Sequence, residues 1–546
     1  MSRMRTARHL ALLIWLFGMV AGMVACGGGS QALDGELSIF APNETVPLAR
    51  LLQFTTHEPA LATVTVSDGE REWTVPTPDS PAIEHSVSLI GMRPARSHTV
   101  TVAVRDEADN VELGTVTATF DTAPLPEYFP PIDVTVSDPS RMEPGLTVFP
   151  VSKWWAGGQD IGFGLVVAVD ESGDVVWYYH PDHMVSDLNF TERGTIQYQS
   201  RRSLVEMDVL GNIIETWHAS GLVDQVPPGT VPVATDLFHH EITELPSGDL
   251  LTLGTEIRAF EDYPLSTTDP QNERGRATLV GDTAIQFGRD GSITQEWKLL
   301  DILDPYRLAH GSLGGFYDHN DYAHVEGGTK DWSHANGVIV DPRDGNLIIS
   351  VRHQDAVIKV DRATGQLIWI LGDHDGWTGR WRQYLLEPEG ELVWPYHQHS
   401  PTVTSWGTLL LYDNGNYKSI PPRERLDPLQ NYSRVVEYEI DEEAMTIRQV
   451  WAYGEAEDER FYTTFLGDAD PLPLTGNILV AAGGFVSDEK GLPIDFPSAG
   501  WHRAIIREVT RTSPPETVFE IVLDEGMGVE TRGWSVYRAA RWGRLY

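Results

Sequence analysis

Along most of this chain, apolar residues fall at every second position, in runs too short and too regular for helices. "ALATVTVSD" (60–68), "SHTVTVAVRD" (97–106) and "LGTVTATFDT" (113–122) are examples. Other runs are apolar without a break, such as "LVVAV" followed by "VVWYY" within 165–179. The first pattern predicts strands with one buried face, the second strands covered on both faces. No long stretch carries the 3.6-residue helical period, so the pattern predicts an all-β chain.

The runs fall into two groups. Residues 35–124 hold short alternating strands, and "GMRPARSHTVTVAVRD" within them resembles the Leu-x-Pro-x-x-x-Tyr corner of fibronectin type III domains. Met92 stands for the leucine and His98 for the tyrosine. A small fibronectin III-like β-sandwich is predicted there. The proline-dense "APLPEYFPPIDV" (123–134) marks its end.

Residues 132–546 repeat. One unit runs apolar strand, acidic turn, then a strand ending near an aromatic residue. It recurs six times, from "LVVAVDESGDVVWYY" to "AIIREVTRTSPPETVFEIVLD". Between these lie hairpins of a second kind, such as "HHEITELPSGDLLTLGTE" (239–256) and "HQHSPTVTSWGTLLLYDNG" (397–415). Two hairpins make a four-stranded blade, so six pairs predict a six-bladed β-propeller. The sixth inner hairpin is expected to combine "GLTVFPV" with the C-terminus and so close the ring.

Composition changes the picture in two ways. With 79 acidic against 40 basic residues, the chain lacks the basic surface that a phosphate backbone requires, which argues against nucleic acid. The first 26 residues read as a signal peptide rather than fold, with Arg3, Arg5 and Arg8 ahead of "LALLIWLFGMVAGMVA". "MVAC" followed by "GGGS" resembles a bacterial lipobox with a tether over 27–34. Cys26, the single cysteine, would be lipidated, with Met23 where leucine is usual. An exported periplasmic or cell-surface lipoprotein is expected. One cysteine cannot form an internal disulfide, so the core must supply the stability.

The inner hairpins carry histidines at one offset from their turn glycines. Eight residues before Gly248 is His240, eight before Gly407 is His399, and eight before Gly476 is Asp468. A turn longer by three puts His334 eleven before Gly345. Innermost strands line the channel of a propeller, so three imidazoles are expected to converge at its mouth. Strand alternation would put His239 on the face opposite His240, and His397 lies outside the register. Arg352, at the end of the returning strand of one hairpin, would bring a guanidinium beside them. Asn336, two beyond His334, could hydrogen-bond a substrate or cap a turn. Thr463 and Thr464 are weaker candidates. A single histidine here would ordinarily be a surface or hydrogen-bonded residue. Three in register across different blades suggest a site, and a neighbouring guanidinium favours an anion over a metal ion.

At these residues the sequence resembles the bacterial arylsulfate sulfotransferase family. The matching pieces are "FHHEITELPSGDLL", "DWSHANGVIVD" with "ISVRHQDAVIKVDRATGQLIWILG", "HQHSP" with "LLLYDNGN", and the closing "YRAARWGRLY". The resemblance implies an exported enzyme, often homodimeric, with an N-terminal β-sandwich and a six-bladed propeller. It would move a sulfuryl group from a phenolic sulfate to a phenolic acceptor by a ping-pong mechanism through a sulfohistidine. No cofactor, metal or nucleotide sulfate donor is implied. Carried over by motif, His399 matches the nucleophile. His240, His334 and Arg352 match groups around the sulfuryl oxygens, with Asn336 and Thr464 beside them. Some members brace a loop near the nucleophile with a disulfide, and this chain has no cysteine there. The chemistry agrees with the assignment: a sulfate monoester needs charge stabilisation, a neutral imidazole is a nucleophile, and a second imidazole can protonate the leaving phenolate. That last role is expected of His334, with oxyanion contacts from His240. Two other classes remain open on the residues alone: a metal-dependent propeller lyase or hydrolase using the same histidines, and a non-catalytic binding propeller. A quinoprotein dehydrogenase fits poorly, since neither eight repeats nor vicinal cysteines are present.

Overall fold

The computed structural model describes residues 33–107, 111–318, 321–528 and 531–543. The signal peptide, Cys26 and most of the tether lie outside the described residues. Two compact units emerge. One comprises residues up to Ala41, Arg50–Leu89 and Arg96–Thr122; the other takes Pro42–Ala49, Ile90–Ala95 and Ala123–Tyr546. Among the described residues no helix is long and apolar enough to cross a membrane.

The first unit is built on the 18-residue strand Arg50–Ser67. Its first half pairs with Ser38–Phe40 and Ala82–Leu89, its second half with Glu72–Val75 and Ser97–Arg105, so one strand serves two sheets. The expected alternation is present: Leu52, Phe54 and Thr56, then Ala60, Ala62, Val64 and Val66 are buried, and the residues between successive members of each run are not. His98, where the corner motif has tyrosine, is buried and stacks on Phe120 at 5.3 Å.

The second unit is a β-propeller. Antiparallel sheets follow one another along the chain: Leu188–Ala219, with Val231–Val233 added in parallel at its outer edge, then His239–Lys298, Ala335–Gly372 and His399–Tyr453, each from inner to outer strand. An 11-stranded sheet contains both the first and the last strands. Within it Gly533–Val536 and Ala540–Trp542 pair with Leu146–Trp155, so the C-terminus closes onto "GLTVFPV" as the pattern predicts. The middle strands Leu165–Val169, Leu347–Val351 and Ala356–Val360 are buried at every position, and so is the apolar run Val175–Tyr179 at the end of its sheet.

The aromatic residue that ends each outer unit has a definite task. The indole N–H of Trp177 donates to Val209 O at 2.9 Å, that of Trp217 to Arg289 O at 2.9 Å, that of Trp297 to Arg362 O at 3.1 Å and that of Trp451 to Thr512 O at 3.0 Å. Trp369 donates to Glu442 Oε1 at 3.1 Å. In every case the acceptor lies in the outer turn of the next repeat. A buried indole needs an acceptor, and the next turn presents one, so each sheet is latched to its successor. Phe519 holds this place in the last repeat, without an N–H.

Candidate active site

The histidines meet at the channel mouth, but not through a common register. His240 lies in a bulge between His239 and Ile242 and has a left-handed φ of 61°. His334, with φ 44°, sits just before the strand Ala335–Val340. His399 is within the ladder, opposite Tyr412, and the residue after it, Ser400, takes the left-handed turn at φ 49°. Left-handed backbone is costly for residues with a Cβ, and its recurrence here, at His397 and Asp355 as well, marks a place where aim outweighs local comfort. Bulges re-aim side chains in this way.

The rings that result are close. His240 meets His334 edge to face at 5.3 Å. Its other neighbour corrects the alternation argument: His239 does not point away. The bulge turns it so that its Nδ1 lies 2.8 Å from His240 Nδ1, while its Nε2 is 3.2 Å from both Gly254 O and Asp282 Oδ1. His334 Nδ1 is 2.6 Å from Asp331 Oδ2, and its ring stacks on His353 at 4.6 Å. His399 Nδ1 is 2.6 Å from Asn414 Oδ1. His397 is held apart from this group by Asp355, whose Oδ1 is 2.7 Å from its Nδ1. Its ring faces Tyr417 at 5.0 Å and His353 at 5.6 Å.

Arg352 opens a short 3-10 turn directly after the strand Leu347–Val351. Its Nη1 donates to His353 Nε2 at 2.7 Å and its Nη2 to Thr464 O at 3.4 Å. Burial, then the Arg352 charge, holds His334 and His399 in the neutral form: His334 is brought down to about 3 and His399 well below 6.5. Burial and the adjacent His239 also push His240 well below its ordinary value. The two carboxylates move the other way. Burial raises Asp331 to about 7 and Asp355 to about 7, opposed at Asp331 by the neighbouring His353 and at Asp355 by the His397 backbone N–H and the Arg307 charge.

Asn336 is fully buried; its Nδ2 donates to Gln398 O at 2.7 Å, and its Oδ1 has no hydrogen-bond partner among the described residues. Thr464 donates its hydroxyl to Ile494 O at 2.7 Å, so its backbone carbonyl is what faces Arg352. The sequence reading missed Asp331, His353 and Asn414. Signals for all three were present: Asp331 opens "DWSH", His353 follows Arg352 in "VRHQD", and Asn414 sits in "LYDNGN".

Asp331, His334 and His353 bring one ligand atom each within 4.8 Å of one another, the geometry of a metal site. The donors do not fit a cation. His353 Nδ1 must carry its proton, because it faces Asp331 O at 2.8 Å. Its remaining lone pair on Nε2 accepts from the Arg352 guanidinium, which occupies the direction a metal would need. The second such group, Asp341, Asp344 and Glu442, closes on Lys359 Nζ at 2.8, 2.6 and 2.6 Å.

The family model described as Arylsulfotransferase (ASST) matches residues 134–535. The chain belongs to the arylsulfotransferase family. A second model, the arylsulfotransferase Ig-like domain, matches residues 37–123. Among relatives, the arylsulfate sulfotransferase AssT of Escherichia coli O6:H1 is 28% identical over 346 residues, 54% of this chain and 53% of that protein. Its counterpart in Lelliottia amnigena is 25% identical over 345 residues, with the same shares. The matched region thus spans about half the length of these relatives. A solved structure from Bacteroides caccae, of unknown function, covers 72% of this chain and 98% of its own at 12% identity and a TM-score of 0.38, too low to bear on the site.

Proposed function

We propose that this arylsulfotransferase moves a sulfuryl group from a phenolic sulfate ester to a phenolic acceptor, through a sulfohistidine at His399. The observation that carries the reading is the grouping of three neutral imidazoles, two of them in the field of the Arg352 guanidinium and the third edge to face with His334, in a chain of this family. A sulfate monoester spreads negative charge over three oxygens, and Arg352 is a planar donor that does not titrate. His399 Nε2 attacks sulfur, the N–S bond forms, and the S–O bond to the aryl group breaks with its electron pair on the phenolate.

The leaving phenolate needs a proton, and His334 alone, brought down to about 3, could not hold one. The pair it makes with Asp331 can. When the shared proton sits on Asp331, raised to about 7, Nδ1 of His334 accepts from that carboxylic acid and Nε2 carries the N–H. The dyad therefore titrates as a unit near neutrality, acid before transfer and base after it. The acceptor phenol then loses its proton to His334 Nε2 and takes the sulfuryl group from His399. His240, edge to face with His334 at 5.3 Å, supplies the contacts to the sulfuryl oxygens in this reading. In this reading Asn336 and Thr464 shape the wall of the site, with the Thr464 carbonyl orienting Arg352.

We count six blades by dividing the 11-stranded sheet into the first and last. Export, a lipid anchor at Cys26 and a homodimer complete the reading on the sequence signals given above. The test of the function is rapid mixing with 4-nitrophenyl sulfate and no acceptor. One nitrophenolate per chain should appear in a burst, with one sulfuryl group on the peptide containing His399. Steady turnover with no burst, or a label on His397, would overturn it.

A further inference from the structure

The structure assigns Asn414 as the positioning residue that fixes His399 in its Nδ1–H tautomer and, being an amide, leaves that imidazole neutral. This rests on the proposed role of His399. Asn414 is completely buried, at the end of the strand that pairs with His399–Val403. Its Nδ2 donates to Leu466 O at 2.7 Å and to Thr463 O at 3.2 Å. Two carbonyls on the amine side leave one orientation for the amide. Its Oδ1 must then face His399, at 2.6 Å. An oxygen without a proton can only accept, so His399 Nδ1 is the donor. A neutral imidazole has one N–H, and Nε2 is left with the lone pair. The backbone turn at Leu466, with a left-handed φ of 59°, brings the carbonyl that completes this brace.

The partner's chemistry sets His399 apart from its neighbours. His334 faces Asp331, His397 faces Asp355 and His239 faces Asp282, each a buried carboxylate. A carboxylate orients a ring and also favours its cation, which suits a group that exchanges protons. A nucleophile gains nothing from protonation, since the cation has no lone pair. An amide keeps the orientation and omits the charge. The charges and imidazoles that act most on His399 are Arg352, His334 and Arg538, with His240 alongside, while the Asp468 carboxyl engages the next residue, Ser400. An aspartate at 414 would therefore set an anion directly against Nδ1 of this ring.

Two isosteric variants and one spectroscopic measurement test this on the full chain. Asn414→Leu keeps the volume and removes the acceptor; the burst rate with 4-nitrophenyl sulfate should fall about 100-fold. Asn414→Asp keeps the acceptor and adds charge. Its burst should survive at high pH, while the acid limb of the rate profile moves upward by at least about one unit, as expected when a carboxylate adjoins an imidazole. In ¹⁵N-histidine-labelled wild type, with His399→Asn to assign the signal, His399 should show a protonated Nδ1 and a bare Nε2. A bare Nδ1, a Leu variant with the wild-type burst rate, or an Asp variant whose profile overlies the wild type would each overturn the assignment. A wild type with no sulfo-His399 would overturn the function reading instead, and the tautomer measurement would still judge Asn414.

Discussion

The rim of the propeller and its mouth solve the same problem in opposite ways. At the rim, five tryptophans in equivalent positions make one bond in one geometry, an indole N–H to the next repeat's turn. At the mouth, three histidines at the heads of three inner hairpins come together through a bulge, a left-handed residue before a strand and a ladder position. Each then takes a different partner: a second imidazole, a carboxylate and an amide. Repetition builds the scaffold, and departure from repetition makes the chemistry. Variants at the rim should therefore have similar, additive costs in stability. Variants at the mouth should differ from one another by orders of magnitude in rate.

The largest effect is expected at His399. Asparagine there keeps polarity and removes the ring nitrogen, so both burst and turnover should fall by more than about 1,000-fold. His397→Asn should keep the burst, because His397 is turned onto Asp355 and Tyr417 instead. Burst kinetics of the two variants side by side checks the distinction. A burst retained in the 399 variant would erase the difference between the two histidines.

Arg352→Lys comes next. It keeps the charge but replaces the planar fork that reaches His353 Nε2 and Thr464 O with a compact ammonium, which cannot reproduce a two-point contact to a sulfuryl group. kcat/KM should fall about 100-fold, in the range for losing one oxyanion donor. Near-normal kcat/KM would remove Arg352 from the site.

The mouth was legible in part. The offset from the turn glycines could bring out His240, His334 and His399 because hairpin length is a local property. Their partners were harder to see. Asn414 is 15 residues from His399 across the hairpin, and Asp355 is 42 from His397 in a different sheet. Alternation failed at His239 because a bulge breaks the period of two, and a bulge leaves no mark in the pattern of apolar residues. The rim was easier: an aromatic residue ending each repeat can be found by eye, although the acceptor of its N–H cannot. The sheet order followed from the alternation of two kinds of hairpin along the chain, because consecutive hairpins pair with each other locally.

A smaller effect separates the two protonation roles. Asp331 is raised to about 7 by burial, so the dyad with His334 holds its transferable proton below about pH 7 and loses it above. With a phenyl sulfate whose leaving group needs protonation, the donor half-reaction should decline about tenfold per pH unit on the alkaline side. His399, held well below 6.5, puts the acid limb below that value. Asp331→Asn removes the titrating carboxyl and should flatten the alkaline limb, whereas 4-nitrophenyl sulfate, with its better leaving group, should show little of that limb even in wild type. A profile unchanged by Asp331→Asn would assign the limb to another group.

The smallest effects belong to the rim, and their uniformity is the test. Trp→Phe at 177, 217, 297 or 451 keeps a large aromatic ring and deletes one N–H, leaving a backbone carbonyl that water at an outer turn can reach. Each should cost about 1 kcal/mol, the net worth of a neutral hydrogen bond. Trp369 departs from the set because its acceptor is a carboxylate, Glu442, which also binds Lys359. A hydrogen bond to a charged group is stronger, so Trp369→Phe should cost about 2 kcal/mol. Denaturant midpoints measured in parallel would rank the five, and turnover should match wild type in all of them, since none lies at the mouth. Costs scattered over several kcal/mol, or a loss of turnover in any one, would mean that the latches are not equivalent parts and that the rim communicates with the site.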